Sequence, residues 1–402
     1  MAQPQTNLEV TIEKMIYGGD GLARPDGQVA LAPFVLPGER AVVEVVERKS
    51  GLLRGKLVEV REASADRVAP PCPHFMHCGG CHYQHAEYRT QLTLKCDILA
   101  ETLRRVGKVE APAEIRVVAE EPWHYRNRVQ LHIRGMQIGY LEAHSNRLRP
   151  IEQCPISSPR INAVIATLRE MLRDARWPRF VQSIELFSDE TQLQLNVLET
   201  ERPVARRFFE WCAEMMPGLV AGALDYRAAG EVYRVSGGSF FQVNRHLIDR
   251  MAEVAMEGAE GETALDLYAG VGLFSLPLGK RVERVTAVES GSAAIRDLQF
   301  NAERAGVAVD ARQSSADAFL ASWTGAPDFV LADPPRSGLG KTVVAHLARL
   351  GPPQLTIVAC DPATLARDLA GLVNAGYRID GVTMIDLFPQ TFHIEAIVCL
   401  KK

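Results

Sequence analysis

Four residues of this chain fall where a strand should give way to a turn, and each carries a group able to do chemistry: Asp266, Glu289, Asp333 and Cys360. Cys360 follows Thr356-Ile357-Val358-Ala359, which reads as a buried strand, and precedes Asp361-Pro362, a good N-cap and a good first helical residue. A thiol at a helix start feels the positive end of the peptide dipoles, which favours the thiolate. Taken alone, Cys360 reads better as a small apolar plug, since free cysteine is among the most buried residue types. Its partners in the pattern reverse that. Asp266-Leu267-Tyr268-Ala269-Gly270-Val271-Gly272 is a D-x-x-x-G-x-G turn, and Gly270 and Gly272 let backbone approach a ligand closely. Glu289, about 20 residues on, suits a ribose because a carboxylate accepts from both hydroxyls. In Asp333-Pro334-Pro335-Arg336 two prolines stiffen the loop and fix Asp333 at its rim.

A glycine turn followed by a ribose-binding acid is the layout of S-adenosylmethionine-dependent methyltransferases, and Asp-Pro-Pro loops recur in those acting on planar nitrogenous groups. A thiolate beside such a pocket can add to C6 of uracil and make the ring nucleophilic at C5. After methyl transfer a base must take the C5 proton so that the thiol can leave. Glu395 is the candidate base, because it opens an apolar extended run in which a carboxylate's pKa rises. A solvated strand-end glutamate is the alternative. His393 falls on the same strand face and is a candidate supporting group.

A second constellation is Cys72, Cys78 and Cys81, a C-x5-C-x2-C run in a Pro/Gly loop, with Cys154-Pro155 far downstream. Four thiolates can hold zinc or a [4Fe–4S] cluster; three clustered cysteines plus a remote one before proline fit iron–sulfur better, with zinc the alternative. The spacing is not C-x3-C-x2-C, so the expected role is a structural tie. Cys96, Cys212 and Cys399 read as core residues.

The elements that must position these groups change character along the chain. Residues 8–60 read as five short strands separated by glycine turns, suited to a small OB-type barrel, with a β-rich cap on a larger domain as the alternative. A helix is expected from Tyr88 to Val106, and residues 115–235 read as mixed α and β, with strands at Val129–Arg134 and Gln192–Val197 and a helix at Ile161–Asp174. From Thr263 onward strands alternate with helices, which implies a parallel sheet covered by helices. Tyr377–Phe388 and His393–Leu400 imply an antiparallel edge pair. Ligands of such sheets bind outside the carboxyl ends of the strands, where the four residues stand.

The chain has 402 residues, 47% hydrophobic and 23% charged, with a net charge of −4, so a uniformly basic nucleic-acid binder is excluded and contact with phosphate must come from local patches. One candidate patch is Trp123-His124-Tyr125-Arg126-Asn127-Arg128 with Arg134, Arg147 and Arg149, where aromatics can stack on bases and guanidinium groups can pair phosphates. The opening MAQPQTNLEV has neither a basic n-region nor an apolar h-region, and no run of about 18 apolar residues follows, so neither a secretory leader nor a membrane span is expected. Reduced thiols and a cytoplasmic location follow.

Together these motifs resemble the bacterial uracil-C5 RNA methyltransferase family in its three-domain form with an N-terminal TRAM domain. The resemblance covers essentially the whole chain, from Gly18-Gly19-Asp20-Gly21-Leu22-Ala23 and Leu36-Pro37-Gly38-Glu39 through Ser239-Phe240-Phe241-Gln242-Val243-Asn244 to the Asp-Pro-Pro-Arg loop and Cys360. It implies an α/β class I (Rossmann-like) methyltransferase domain at 237–402, an OB-like β-barrel TRAM domain binding RNA at 1–62, and a mixed α+β iron–sulfur domain with RNA contacts at 63–236. It implies that Gln242, Tyr268, Gly270, Gly272, Glu289 and Asp333 line S-adenosylmethionine, that Asp333 lies where cofactor and uracil meet, and that Cys360 is nucleophile and Glu395 base. Cys72, Cys78, Cys81 and Cys154 match the family's [4Fe–4S] ligands. Two positions depart from the pattern: Ala269 stands where relatives often have cysteine, and Ala359-Cys360-Asp361-Pro362 replaces Ser-Cys-Asn-Pro. The cluster and TRAM domain imply 5-methyluridine formation in 23S ribosomal RNA, with tRNA as the alternative substrate. A non-catalytic RNA-binding protein of this fold is the competing class. A cytosine-C5 DNA methyltransferase is disfavoured because Ala359, not proline, precedes the cysteine.

Overall fold

The computed structural model describes residues 7–110 and 112–402. The first six residues, read above for a leader, lie outside the described part. The chain divides into two compact units. One takes the chain up to Leu99 together with Leu141–Arg149 and Phe388–His393, and the other takes Ala100–Tyr140, Pro150–Leu387 and Ile394–Lys402.

The first unit is built on a six-stranded sheet in the order Asn7–Thr11, Arg40–Lys49, Leu52–Glu62, Val29–Pro33, Asp20–Ala23, Lys14–Met15. Alternation puts Val10, Ala30, Ala32, Ala41, Val43 and Leu53 into one core. Gly21 is needed there, since a Cβ would lie 2.4 Å from Val35 Cγ2 and 2.9 Å from Ile12 Cγ2. The expected short strands are present in this order, with Lys14–Met15, directly after Asn7–Thr11 in the chain, as a sixth element too short to be seen in the pattern. In the same unit Gln91 holds the Phe388–His393 segment, exchanging hydrogen bonds with the Gln390 side chain and backbone N–H, both 3.0 Å.

In the second unit, Arg128–Arg134 pairs antiparallel with Gln137–Leu141 on one side and Val181–Ser188 on the other, and the latter pairs with Leu193–Thr200. Helices Pro159–Met171 and Arg206–Met215 cover this sheet with a core that includes Trp177 and Trp211. A hairpin, Leu224–Ala228 with Glu231–Val235, follows. The site-bearing sheet has eight strands: β1 (Arg116–Val118), β2 (Thr263–Leu267), β3 (Arg284–Glu289), β4 (Val309–Gln313), β5 (Phe329–Ala332), β6 (Gln354–Ala359), β7 (Arg378–Ile385) and β8 (Glu395–Lys401). The helices of the βα units are α1 (Ser275–Leu278), α2 (Ser292–Ala305), α3 (Ala316–Ser322), α4 (Gly340–Leu350) and α5 (Pro362–Asn374). The strand order is β4-β3-β2-β5-β6-β8-β7-β1, so β2 and β5 flank the switch point at which an open α/β sheet takes its ligand.

The antiparallel pair expected at the sheet edge is present as β7 and β8, but it is not the edge. β8 inserts beside β6, and β1 pairs parallel with β7 outside it. Three residues far upstream give too short a pattern to assign to a sheet from sequence.

Candidate functional site

The turn after β2 is built from residues forced out of ordinary conformations. Tyr268 has φ 64°, Gly270 φ 55° and Gly272 φ 96°. At Gly272 a Cβ would lie 2.8 Å from Leu276 Cδ1, so the turn closes against α1. Above Gly270 nothing lies within 4 Å of a built Cβ, so its backbone faces open space, as a close-approaching ligand requires. The Glu289 carboxylate, at the end of β3, accepts from the N–H of Gly270 at 2.9 Å and of Gly291 at 2.5 Å. It is thereby fixed beside the glycine turn; Oε1 also accepts from the Ser290 hydroxyl at 3.4 Å, and Oε2 keeps a lone pair for a hydroxyl donor.

Gln242 is buried, 6% exposed, and its segment is held from two sides. Asn127 Nδ2 donates to the Gln242 carbonyl at 3.3 Å, and Arg128 Nη1 to the Ser239 carbonyl at 2.7 Å. From α2, Asp297 accepts from the Ser236 N–H and hydroxyl at 2.8 and 2.7 Å and from the Ser239 hydroxyl at 2.8 Å. Phe240 between them remains 63% exposed. Three residues of the Trp123–Arg128 motif face inward rather than toward a ligand. Tyr125 and Asn127 are fully buried, and Arg128 is spent on Ser239 and on Glu185 at 2.8 Å. Asn127 and Arg128 instead brace the Gln242 segment. Asn127 and Asp297 gave no signal in the sequence, because their roles depend on partners more than a hundred and more than fifty residues away respectively.

The third part joins β5, β6 and β8. The Asp333 N–H donates to the Leu267 carbonyl at 3.3 Å, so its loop starts beside the glycine turn. Ala359 pairs with Ala396 in the antiparallel register of β6 and β8. One step further, that register brings Cys360, just past β6, beside Glu395, the first residue of β8. Asp361 caps α5 as expected, accepting from Ala363 and Thr364 N–H at 3.0 and 2.9 Å, an arrangement of about 1 kcal/mol. His393 lies in the first unit, its ring against Phe392 at 4.3 Å and Phe388 at 5.5 Å.

The electrostatics overturn one expectation. The Cys360 thiol is pushed up to about 11, first by burial and then by the Glu395 and Asp333 carboxyls, with Arg336 opposing. The helix start does not prevail, so the resting group is a thiol. Glu395 is held well above the ordinary carboxylate range by burial and by Asp333, again opposed by Arg336. Burial lifts Asp333 to about 7, although the residue keeps an open edge. Asp266, fully buried and accepting from the Ser275 hydroxyl, is also lifted to about 7, by burial and by the Asp333 and Glu289 charges. Arg336, expected only as part of a loop motif, is therefore the cation that favours both anions.

These carboxyls set a stability trend. A raised carboxyl stabilises the fold most below its unfolded pKa, and that contribution is lost as pH climbs to the folded value. For Asp266 the window runs from the ordinary 3.8 to about 7, at about 1.4 kcal/mol per pH unit. Chemical denaturation should show Asp266→Asn more stable than the native chain at pH 8 and not at pH 4; equal gains at both would remove the buried charge as the cause.

Cys72, Cys78 and Cys81 belong to the first unit and Cys154 to the second. All four are outside disulfides. Cys78 forms a β-bridge with Glu142, and Cys154 is tied through its backbone to Asn162 at 2.8 Å. Among the described residues no group of three or more His, Cys, Asp or Glu side chains is set to hold a metal ion. No step of the chemistry is routed through these thiols. Among the described residues no helix is long and apolar enough to cross a membrane.

Comparison with known proteins adds the chemistry's context. The family described as tRNA (Uracil-5-)-methyltransferase matches residues 218–329 and 316–402, and the TRAM domain matches residues 3–58. A Halomonas elongata 23S rRNA (uracil(1939)-C(5))-methyltransferase is 34% identical, over 98% of this chain and 89% of that relative. Its Shewanella frigidimarina counterpart is 31% identical, over 99% and 96%. The crystal structure of Pyrococcus abyssi tRNA (uracil-54, C5)-methyltransferase in complex with S-adenosyl-L-homocysteine superposes with TM-score 0.80 at 25% identity, covering 98% of this chain and all of that one.

Proposed function

Since the chain belongs to the TRAM-containing uracil-C5 RNA methyltransferases, and so is an S-adenosylmethionine-dependent RNA (uracil-5-)-methyltransferase, we propose that its substrate is a uracil of 23S ribosomal RNA and that Cys360 and Glu395 carry the reaction. The observation that carries the residue assignment is the β6–β8 register, which brings thiol and carboxyl together at the rim beside Asp333. The division into a TRAM domain at 1–62, a central domain at 63–236 and a methyltransferase domain at 237–402 belongs to the same proposal, as does a cytoplasmic site of action.

Gln242, Tyr268, Gly270, Gly272, Glu289 and Asp333 would hold S-adenosylmethionine, with Glu289 on the ribose and the open face of Gly270 toward the ligand. When bound, that cofactor supplies an electrophilic methyl group. Cys360 must first lose its proton; Asp333, half-ionised near neutrality, is placed to take it, and Arg336 favours the anion. The sulfur then bonds to uracil C6, and the C5=C6 π pair moves to C5 and O4. C5 uses that pair to take the methyl group, while the pair of the donor's methyl–sulfonium bond returns to its sulfur and S-adenosylhomocysteine is left. Glu395, once it has given up the proton that burial and Asp333 hold on it, removes the C5 proton; the C–H pair restores C5=C6 as the C6–S bond breaks and thiolate leaves.

Support for ribosomal RNA comes from the named relatives, while the superposable archaeal protein bears a tRNA name. Labelled methyl transfer to 23S RNA and to tRNA, with nucleoside mass spectrometry of both RNAs from a deletion strain, tests it. Loss of a 5-methyluridine from 23S RNA is expected. Loss from tRNA alone would move the proposal to the alternative, and no transfer to either would favour a binding protein.

For the four cysteines the proposal rests on donor type alone: soft thiolates suit an iron–sulfur cluster acting as a structural tie, with zinc the alternative. Cys81→Ser is expected to lose brown colour, iron content and soluble yield after anaerobic purification. Zinc in stoichiometric amount with no iron in the native protein would select the alternative.

A further inference from the structure

Helix α5 begins directly after the nucleophile, and one of its stripes serves as a bed for the Asp333–Leu339 loop. Thr364, Arg367 and Asp368 share that stripe with Asp361. The Thr364 hydroxyl is shared between the Arg336 and Asp361 carbonyls, each at 3.2 Å, and Arg367 Nη2 donates to the Ser337 carbonyl at 2.8 Å. The Leu339 N–H donates to Asp368 Oδ2 at 2.7 Å. Between them Gly338 has φ 75°, and a Cβ there would lie 2.4 Å from Asp368 Oδ2 and 2.8 Å from Arg367 Nη2. The loop therefore rests on the helix as closely as backbone permits. Asp368 is 3% exposed, and its other oxygen accepts from Arg367 Nε and Nη2 at 3.0 and 2.9 Å. Their carbonyl and N–H partners belong to the loop that carries Asp333 and Arg336.

We propose that Thr364 and Asp368 are positioning residues of the methyl-transfer reaction, gripping the backbone at Arg336 and Leu339 so that the loop carrying Asp333 and Arg336 keeps its place at the rim beside Cys360. The proposal rests on the roles given to Cys360 and Glu395 above. Two further facts support it. Arg336 is the cation opposing the rise of both groups, and its field on them falls with distance. Thr364 is itself fixed, its N–H capped by Asp361 at 2.9 Å, so nucleophile, cap and loop anchor form one continuous piece.

The test uses the full-length protein carrying Thr364→Val, Thr364→Ser, Asp368→Ala or Asp368→Asn. Two readouts are taken: kcat and KM for each substrate, and the pH dependence of Cys360 alkylation by iodoacetamide, followed by peptide mass mapping without RNA. Thr364→Val should lower kcat roughly tenfold with the KM for S-adenosylmethionine unchanged. It should also shift Cys360 alkylation to higher pH. Thr364→Ser should restore both. Asp368→Ala should lose about a hundredfold in kcat. Asp368→Asn, whose amide oxygen can still accept from Leu339, covers the case in which alanine unfolds the protein, and should fall between alanine and native. Native kcat and an unmoved alkylation profile in Thr364→Val would overturn the proposal. So would losses that follow melting temperature alone and raise the KM for S-adenosylmethionine in step. Failure of the underlying reading looks different: Cys360→Ala would keep turning over, whereas the alkylation shift is measured without turnover.

Discussion

Cys360→Ala should lower methyl transfer by about ten-thousandfold or more while leaving S-adenosylmethionine affinity unchanged, because the nucleophile is lost and the cofactor turn is not touched. Without sulfur addition at C6, C5 of uracil lacks the electron density to take a methyl group. Gly270, Gly272 and Glu289 reach their geometry through hydrogen bonds and sterics that do not involve Cys360. Single-turnover transfer to RNA, paired with calorimetric titration of the cofactor, separates the two effects. Turnover within tenfold of native would remove Cys360 from the chemistry. Loss of cofactor affinity as well would mean that the thiol is a packing group, the plain reading of a cysteine that closes a strand.

Glu395→Gln should have the opposite signature, with turnover lower by about 10²- to 10⁴-fold and a covalent protein–RNA species that accumulates. Glutamine keeps the shape of the buried side chain but cannot accept the C5 proton, so methylation proceeds and release does not. The substitution also removes one of the carboxyls that hold the Cys360 thiol up, so addition should become easier as elimination stops. Denaturing electrophoresis after incubation with RNA and cofactor reads the adduct, and mass spectrometry confirms the attached methylated nucleotide. Slow turnover with no adduct would assign the proton to another base. Asp333 would then be next, since its carboxyl sits near 7 at the same rim.

Much of the methyltransferase half was legible because its signals are local. The strand, cap and proline around Cys360 place helix α5 from ten consecutive residues, and Asp361 caps it as the residue types require. The glycine turn was readable for the same reason, since φ values of 55° and 96° at Gly270 and Gly272 are ones that glycine adopts without cost. The Trp123–Arg128 motif misled because side-chain type does not say which way a side chain faces. Arg128, which by type could meet phosphate, was spent on Ser239 and Glu185 once the chain folded. β1 was invisible for another reason: three residues carry no period, and only the exposed flank of β7 gave them a place.

By itself the sequence determined the family, the alternating βα order and the identity of the groups at the strand ends, all properties of residue type and spacing. Only the tertiary structure decided that β8 lies between β6 and β7. That choice sets Glu395 beside Cys360 across a sequence gap no local pattern can span. It also decided the protonation of the pair. Burial and neighbouring carboxyls outweigh the helix start, because solvation and charge are summed over groups that meet only when the chain has folded.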